Sequence, residues 1–389
     1  MTLSVFDRDQ LEQNEHALLA PYAMKSNMSK GRLYNEPEHP YRSRYQRDRD
    51  RIVHSRAFRR LEYKTQVFVN SEGDHFRTRL THTLEVAMIT RTIGRCLRLN
   101  EDLIETLALA HDMGHPAFGH SGEQKLNQLM QEHGGFEHNH QTLRIVELLE
   151  KKYPDFDGLN LTWEVREGII KHSMDYNKPE KHQYDPYKAP LLEVQAVNIG
   201  DEIAYNSHDL DDGLSAGLFT FSDLAHIDIW REAFNAVNKK YHELDEKTLG
   251  SYVVREIIDR QVQDVLTHTQ HIIQQYGISS VDDVRNTMKP IVTLSPELEQ
   301  KNKELKEYLY KNFYTHYQVE IMNQKGLRII QELFELFINN PRLLDPSTLE
   351  RLNHTPLQRV VCDYIAGMTD RYAFNTYRKL CSLSERYNF

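Results

Sequence analysis

Cysteine is nearly absent from the 389 residues: Cys96, Cys362 and Cys381 stand far apart and form no CxxC. A disulfide framework and a thiolate zinc site are thereby excluded. Glycine and proline are scarce, 17 and 13, which disfavours a turn-rich β architecture and points to helix. No apolar run approaches the roughly 18 residues a membrane span needs, and the opening MTLSVFDRDQ does not read as a signal peptide. The expectation is a cytoplasmic protein with no membrane partner. GxxxxGK[ST], HExxH and GxSxG are missing, so P-loop, zincin and α/β-hydrolase chemistries have no support.

What is present is charge and histidine. The net charge of −9 hides a basic segment, residues 25–64, with 12 Lys/Arg against 5 Asp/Glu. An acidic body with one basic stretch either meets an anion, such as nucleic acid or a phosphorylated small molecule, or pairs that stretch with its own acidic helices. The 20 histidines concentrate in the first 210 residues.

Spacing predicts a mainly α-helical chain. Residues 1–40 read as irregular, and 48–64 as helical. KTQVFV reads as extended, followed by a turn at NSEGDH. Leu80, Leu84, Met88, Ile89, Ile93 and Leu97 recur at three and four, predicting a helix over 78–99 with these residues as its buried stripe. Further helices are predicted at 101–112, from 119 to Gly134-Gly135, at 139–152 and at 191–212, with 177–190 as a surface loop or lid. Ile330, Leu333, Phe334 and Phe337 form one stripe of a later helix.

His82 in RLTHTLEV, the adjacent His111-Asp112 in LALAHDMGH, and Asp201 in VNIGDEIAY are candidate metal ligands, each within or ending a helix whose other face is apolar. Hydrogen-bonded core residues are the competing reading. As ligands they make a mixed N/O set suited to one divalent ion among Mn, Fe, Co, Ni, Zn and Mg. His115, His120, Glu123 and His138 crowd the next thirty positions, where such groups pack poorly but suit proton transfer near neutral pH. Asp201, Tyr205 and Asp209, spaced i, i+4, i+8, share one helix face.

These stretches carry a resemblance. H…HD…D, matched by His82, His111, Asp112 and Asp201, is the pattern of the HD-domain superfamily of metal-dependent phosphohydrolases. RIVHSRAFRRLEYKTQVF, HFRTRLTHTLEVA, ALAHDMGHPAFGHSGE, GFEHN, GDEIAYNSHDLDDGL and YIAGMTDRYA resemble the bacterial dGTPase and dNTP triphosphohydrolase family in consistent order over residues 52–374. Residues 216–355 carry no motif of it.

The resemblance implies an HD helical bundle with additional C-terminal helices: an N-terminal arm at 1–47, basic and largely irregular, an HD core at 48–215, and a helical region at 216–389 packed on it. It implies cleavage of a dNTP between the 5′ oxygen and the α-phosphorus, giving deoxynucleoside and inorganic triphosphate. A metal on the four ligands would polarise the α-phosphate and acidify the attacking water. By motif position His120 is the general acid, oriented by Glu123 with His138 close by, and His115 contacts an α-phosphate oxygen or the metal water, or else only orients the ligands. Gln66 and Asp209 read the 3′-hydroxyl, Tyr205 packs on the sugar and Arg79 clamps phosphate. Arg56, Arg59, Arg60 and Lys64 are further triphosphate contacts or plain surface charge.

Some relatives carry a lysine directly after the last metal-ligand aspartate; this chain has Glu202. Asp370, Arg371 and Tyr372 match a family motif of unassigned contact. A homo-oligomer, often a hexamer, is implied, with Phe334, Phe337 and Ile338 exceeding what one helical face buries, and the basic segment repeating as a single-stranded DNA site. Two other readings compete: an HD phosphohydrolase for a nucleoside monophosphate or cyclic nucleotide, and a nucleic-acid-binding regulator on an HD scaffold. Gln66, Arg79 and Tyr205 oppose the first, and the uneroded ligand set opposes the second.

Overall fold

The computed structural model describes residues 5–66, 77–176 and 183–381, and within them the chain is helical, with eighteen α-helices and no strand. The first helix corrects the expectation of an irregular 1–40. α1 (Arg8–Leu18) opens on a capping box, in which Asp7 accepts from the Gln10 amide and the Gln10 side chain returns to the Asp7 amide. None of its residues is buried, so it leaves no apolar period to read. Local capping and good helix formers suffice.

α2 (Arg44–Val53) and α3 (Arg56–Arg60) start on Ser43 and Ser55. Thr65 then pairs with Thr78 in an isolated antiparallel bridge. The remainder of KTQVFV, and the turn expected at NSEGDH, lie outside the described residues. α4 (Arg79–Cys96) is capped by Thr78 and α5 (Glu101–Ala110) by Asn100. The helix predicted to reach 112 tightens at His111–Gly114 into a 3₁₀ turn. α6 (Gly119–Leu129) and α7 (His138–Arg144) follow, α7 passing into a π turn at Ile145–Leu149, short of the predicted 152. Next come α8 (Trp163–Ile170) and the long α9 (Leu192–Ser215). Of the expected 177–190 loop, 177–182 lies outside the described residues, and Tyr184 and Ala189 are fully buried rather than surface.

The C-terminal half adds α10 (Phe221–Leu224), α11 (Asp228–Lys240), α12 (Glu246–Tyr276), α13 (Val281–Asn286) and α14 (Pro296–Leu309), which runs into a π turn at Tyr310–Tyr314. α15 (Tyr317–Asn339), α16 (Pro346–Glu350), α17 (Leu357–Ala366) and α18 (Asp370–Cys381) complete it. No helix among the described residues is long and apolar enough to cross a membrane.

Three apolar clusters hold these elements. The largest runs from Ala20 in the N-terminal segment through α4, α5 and α9 to Leu294. A second joins α6 to α15 and α17, and a third joins the end of α9 to α11, α12 and α14. Phe334 and Phe337 are buried in the second and Ile338 packs against it. The apolar surplus expected of these residues is thus filled within the chain and carries no argument for an intersubunit face.

The predicted stripe of α4 is also corrected. Leu84 and Met88 are 43% and 61% exposed, while Arg79, His82, Thr83, Val86, Ala87, Thr90, Ile93 and Gly94 are buried. Small and polar residues face inward because this helix packs closely on α5 and α9 and presents its first turns to a polar centre.

The basic segment is largely self-neutralised. Arg32 pairs with Asp48, Arg42 with Asp50, Arg44 with Glu38, Arg49 with Asp102 and Glu105, and Arg51 with Glu36.

One buried carboxylate ties the N-terminal segment to α9. Glu193 accepts from the Met24 and Asn100 amides at 2.9 and 3.2 Å. Burial pushes it up to about 7, against backbone hydrogen bonds and Lys25 that oppose the rise. The folded chain therefore holds this proton up to about pH 7, whereas an unfolded glutamate releases it near 4.5. The native state binds more protons across that window, so Glu193 lowers stability as pH rises through it, by about 3 kcal/mol at most. Urea melts of Glu193→Gln should lack this fall between pH 5 and 8; a slope equal to wild type would refute the shift.

Candidate metal centre and adjoining pocket

α4, the turn after α5, and α9 converge their polar residues on one point. His82 Nε2 lies 2.9 Å and His111 Nε2 3.6 Å from Asp201 Oδ1, and His111 Nε2 lies 3.6 Å from Asp112 Oδ1. Ligand-type atoms of His82, His111 and Asp112 all fall within 4.8 Å of one another. Each element contributes for a local reason. The 3₁₀ turn at His111–Gly114 swings two consecutive side chains toward α4, and His111 Nδ1 is anchored at 2.6 Å on the Ala108 carbonyl, leaving Nε2 to face the centre.

Buried His111 Nε2 and Asp112 Oδ2 have no hydrogen-bond partner among the described residues. Unpaired buried polar atoms are costly, and two imidazoles with two carboxylates are the donor set of a divalent cation. The residues fit one. Burial opposes ionisation of Asp112, but the Arg79 guanidinium and the neighbouring imidazoles hold it well below the usual carboxylate range. Arg79, itself buried, donates to Asp112 at 3.0 Å and keeps Nε and Nη2 unpartnered.

A second group adjoins the first. His115 Nε2 lies 3.3 Å from Asp112 Oδ1, and its ring stacks on His138 with centroids 4.0 Å apart. Burial, then the positive charge of Arg79 and His138, pushes His115 well down, so it is neutral. Burial would lower His138 too, but the Glu123 carboxylate, hydrogen-bonded to its Nδ1 at 2.9 Å, raises it. Glu123 is held low because the nearby His120 and the hydrogen bonds from His138 outweigh burial. His120 Nδ1 stands 3.6 Å from Glu123, with its side chain 63% exposed.

That exposed imidazole lines a cleft together with Thr65, Gln66, Phe118, Ser121, Tyr205, Tyr314, Val319, Met322 and Asn323. Tyr205 stacks on Tyr314 at 6.1 Å and meets the His120 ring edge at 6.3 Å.

A model of the HD domain matches residues 79–206, and one of the phosphohydrolase-associated domain matches 292–379. The chain is 48% identical over 374 residues to the deoxyguanosinetriphosphate triphosphohydrolase-like protein of Geobacter sulfurreducens, covering 96% of this chain and 97% of that one. It belongs to that family of HD phosphohydrolases. Its likeness to the proteins of the same description from Geobacter metallireducens, 46% over 99% of this chain and 100% of that one, and Thiobacillus denitrificans, 48% over 95% and 99%, is of the same order.

Against the family pattern, the four ligand positions, Arg79, His115, Glu123 and His138 come together, and Gln66, His120 and Tyr205 face the cleft. Asp209 does not line it: its carboxylate is buried and accepts from the Tyr314 hydroxyl. Lys64 is not free to meet a triphosphate, since it is buried and donates to the carbonyls of His115 and Ala366. Burial beside Arg60 and Arg79 pushes it down to about 7. Arg60 is turned to the Gly367 carbonyl, Arg59 lies on that of Ser55, and Arg56 is an exposed charge away from the cleft. Glu202 accepts from Asn302 at 2.8 Å and from Lys306.

Three residues escaped the sequence. His172 Nε2 is 3.5 Å from Asp201 Oδ2, His208 Nδ1 is 3.1 Å from His82 Nδ1, and Tyr314 walls the cleft. His172 lies in the turn after α8, outside the quoted motifs, and His208 lies beside Asp209 within GDEIAYNSHDLDDGL. The signal for His208 was its place seven residues after Asp201, two turns along the same helix.

Proposed function

We propose that this HD phosphohydrolase hydrolyses deoxynucleoside triphosphates at the α-phosphorus, releasing the deoxynucleoside and intact triphosphate. The observation that carries it is adjacency: a cleft walled by Tyr205, Gln66 and His120 is joined to the His82, His111, Asp112 and Asp201 cluster through His115, which meets the His120 ring at 5.3 Å and Asp112 at 3.3 Å. The cleft suits a sugar and base, and the cluster suits the phosphate. A divalent cation held by those four residues supplies Lewis-acid polarisation of a phosphate oxygen when bound. Arg79 offers its two unpartnered donors to the same phosphate.

As water adds to phosphorus it releases a proton to solvent, the bond to the 5′ oxygen breaks and that oxygen needs a proton. His120, on the cleft wall, donates it, and Glu123 and His138 hold the adjoining proton and charge. Neutral His115 keeps its unpartnered Nδ1 toward Glu123, at 3.7 Å. The aromatic face of Tyr205 packs on the sugar, and the Gln66 carboxamide, whose oxygen is buried without a partner, reads its 3′-hydroxyl.

The test is a product analysis of the metal-loaded protein with each of the four dNTPs. Nucleoside and triphosphate in equal amounts are expected. Release of nucleoside monophosphate and pyrophosphate, or activity on monophosphates and cyclic nucleotides alone, would overturn the proposal.

A further inference from the structure

The loop that delivers His120 is held in an unfavourable conformation by a residue far along the chain. Phe118 lies at φ 64° and Gly119 at φ 57°, two left-handed residues in succession at the start of α6. For a bulky aromatic residue that region is costly, of order 1–3 kcal/mol, and persists only when neighbours fix it. Phe118 has no side-chain cap of its own.

The fixing group is Asp370, at the first turn of α18. Its Oδ1 accepts from the Phe118 amide at 2.9 Å, and its Oδ2 accepts from the Thr65 amide at 2.9 Å and from the Thr65 hydroxyl. Asp370 is only 6% exposed and does not line the cleft, whereas Thr65, Gln66, Phe118 and His120 do. Two contacts show how closely the pieces are set. A Cβ on Gly119 would stand 3.3 Å from the Gln66 carbonyl and 3.4 Å from Arg79 Nη2. On α15, a Cβ at Gly326 would stand 2.6 Å from Phe118 Cγ, so that helix is notched to receive the ring.

We infer that Asp370 is a positioning residue for the reaction: one buried carboxylate, supplied by the phosphohydrolase-associated region, fastens the 115–120 loop to the Lys64–Gln66 edge and so sets His120 against Gln66 across the cleft. The catalytic consequence rests on the function proposed above; the clasp does not. Both carboxylate oxygens are in use, and all the groups facing them are donors. An amide in their place must turn its NH₂ onto either the Phe118 or the Thr65 donor.

Asp370→Asn should lower kcat roughly tenfold to a hundredfold, the scale of a displaced catalytic group, with bound metal unchanged by elemental analysis. Hydrogen exchange should accelerate at least tenfold in peptides spanning 64–66 and 115–120, and not in α9. Thr65→Val, which removes one of the three bonds, should cost less, and adding it to Asp370→Asn should cost little more, because the bonds act as a unit. Wild-type exchange in both segments, loss of metal, or losses that multiply in the double variant would each overturn the inference. If the wild-type protein releases nucleoside from no dNTP, the proposed function fails, and the exchange experiment still decides whether Asp370 holds the loop.

Discussion

Alanine at His111 or Asp112 is expected to abolish metal content and turnover together. Each supplies a buried atom with no hydrogen-bond partner among the described residues, free to meet a cation. Lewis-acid stabilisation is worth several kcal/mol, and its removal should slow turnover by about a thousandfold or more. The two variants should differ in stability. Asp112 also accepts from buried Arg79 and faces His115, and stripping a buried cation of its partner costs about 3–5 kcal/mol. Asp112→Ala should therefore melt well below His111→Ala. Elemental analysis of gel-filtered protein checks the first claim, and metal retained at wild-type stoichiometry in either variant would remove that residue from the ligand set.

His120→Ala should keep its metal and still bind nucleotide, yet turn over roughly 10²–10⁴-fold more slowly, the range for a positioned general acid. The side chain is mostly exposed on the cleft wall and is not one of the four proposed ligands, and after its truncation Glu123 keeps its hydrogen bonds from His138. Equilibrium binding of a non-hydrolysable dNTP analogue, set beside single-turnover rates, separates the two effects. Near wild-type turnover would pass the role to His115 or to His138, the imidazole hydrogen-bonded to Glu123 at 2.9 Å.

The His82, His111, Asp112 and Asp201 cluster was legible in part because an imidazole and a carboxylate side by side at a helix end are poor packing material and leave a mark in the sequence. The helices were legible where capping and periodicity agreed, as at Thr78 and Asn100. α4 shows the limit. Its apolar stripe pointed to Leu84 and Met88, but burial follows Thr83, Ala87 and Thr90, because the neighbours of that helix are a polar centre and closely packed backbones. α1 was invisible for the opposite reason, buried nowhere and held by its cap alone. His172, His208 and Asp370 act across long sequence separations, and only the tertiary path of the chain places them beside Asp201, His82 and Thr65.

Such separations also order events in time. Thr65 and Asp370 are 305 residues apart, and Lys64 reaches the Ala366 carbonyl across 302. At 5–20 residues per second, translation of that span occupies roughly 15–60 s. Residues 82 to 201, with all four ligand positions, emerge in the first part of this interval. The residues of the His82, His111, Asp112 and Asp201 cluster are thus synthesised long before residue 370 exists to fasten the neighbouring loop. The clasp between Asp370, Thr65 and Phe118 can therefore form only after the distal helices are made, so the order of synthesis sets the earliest moment at which this loop is fastened.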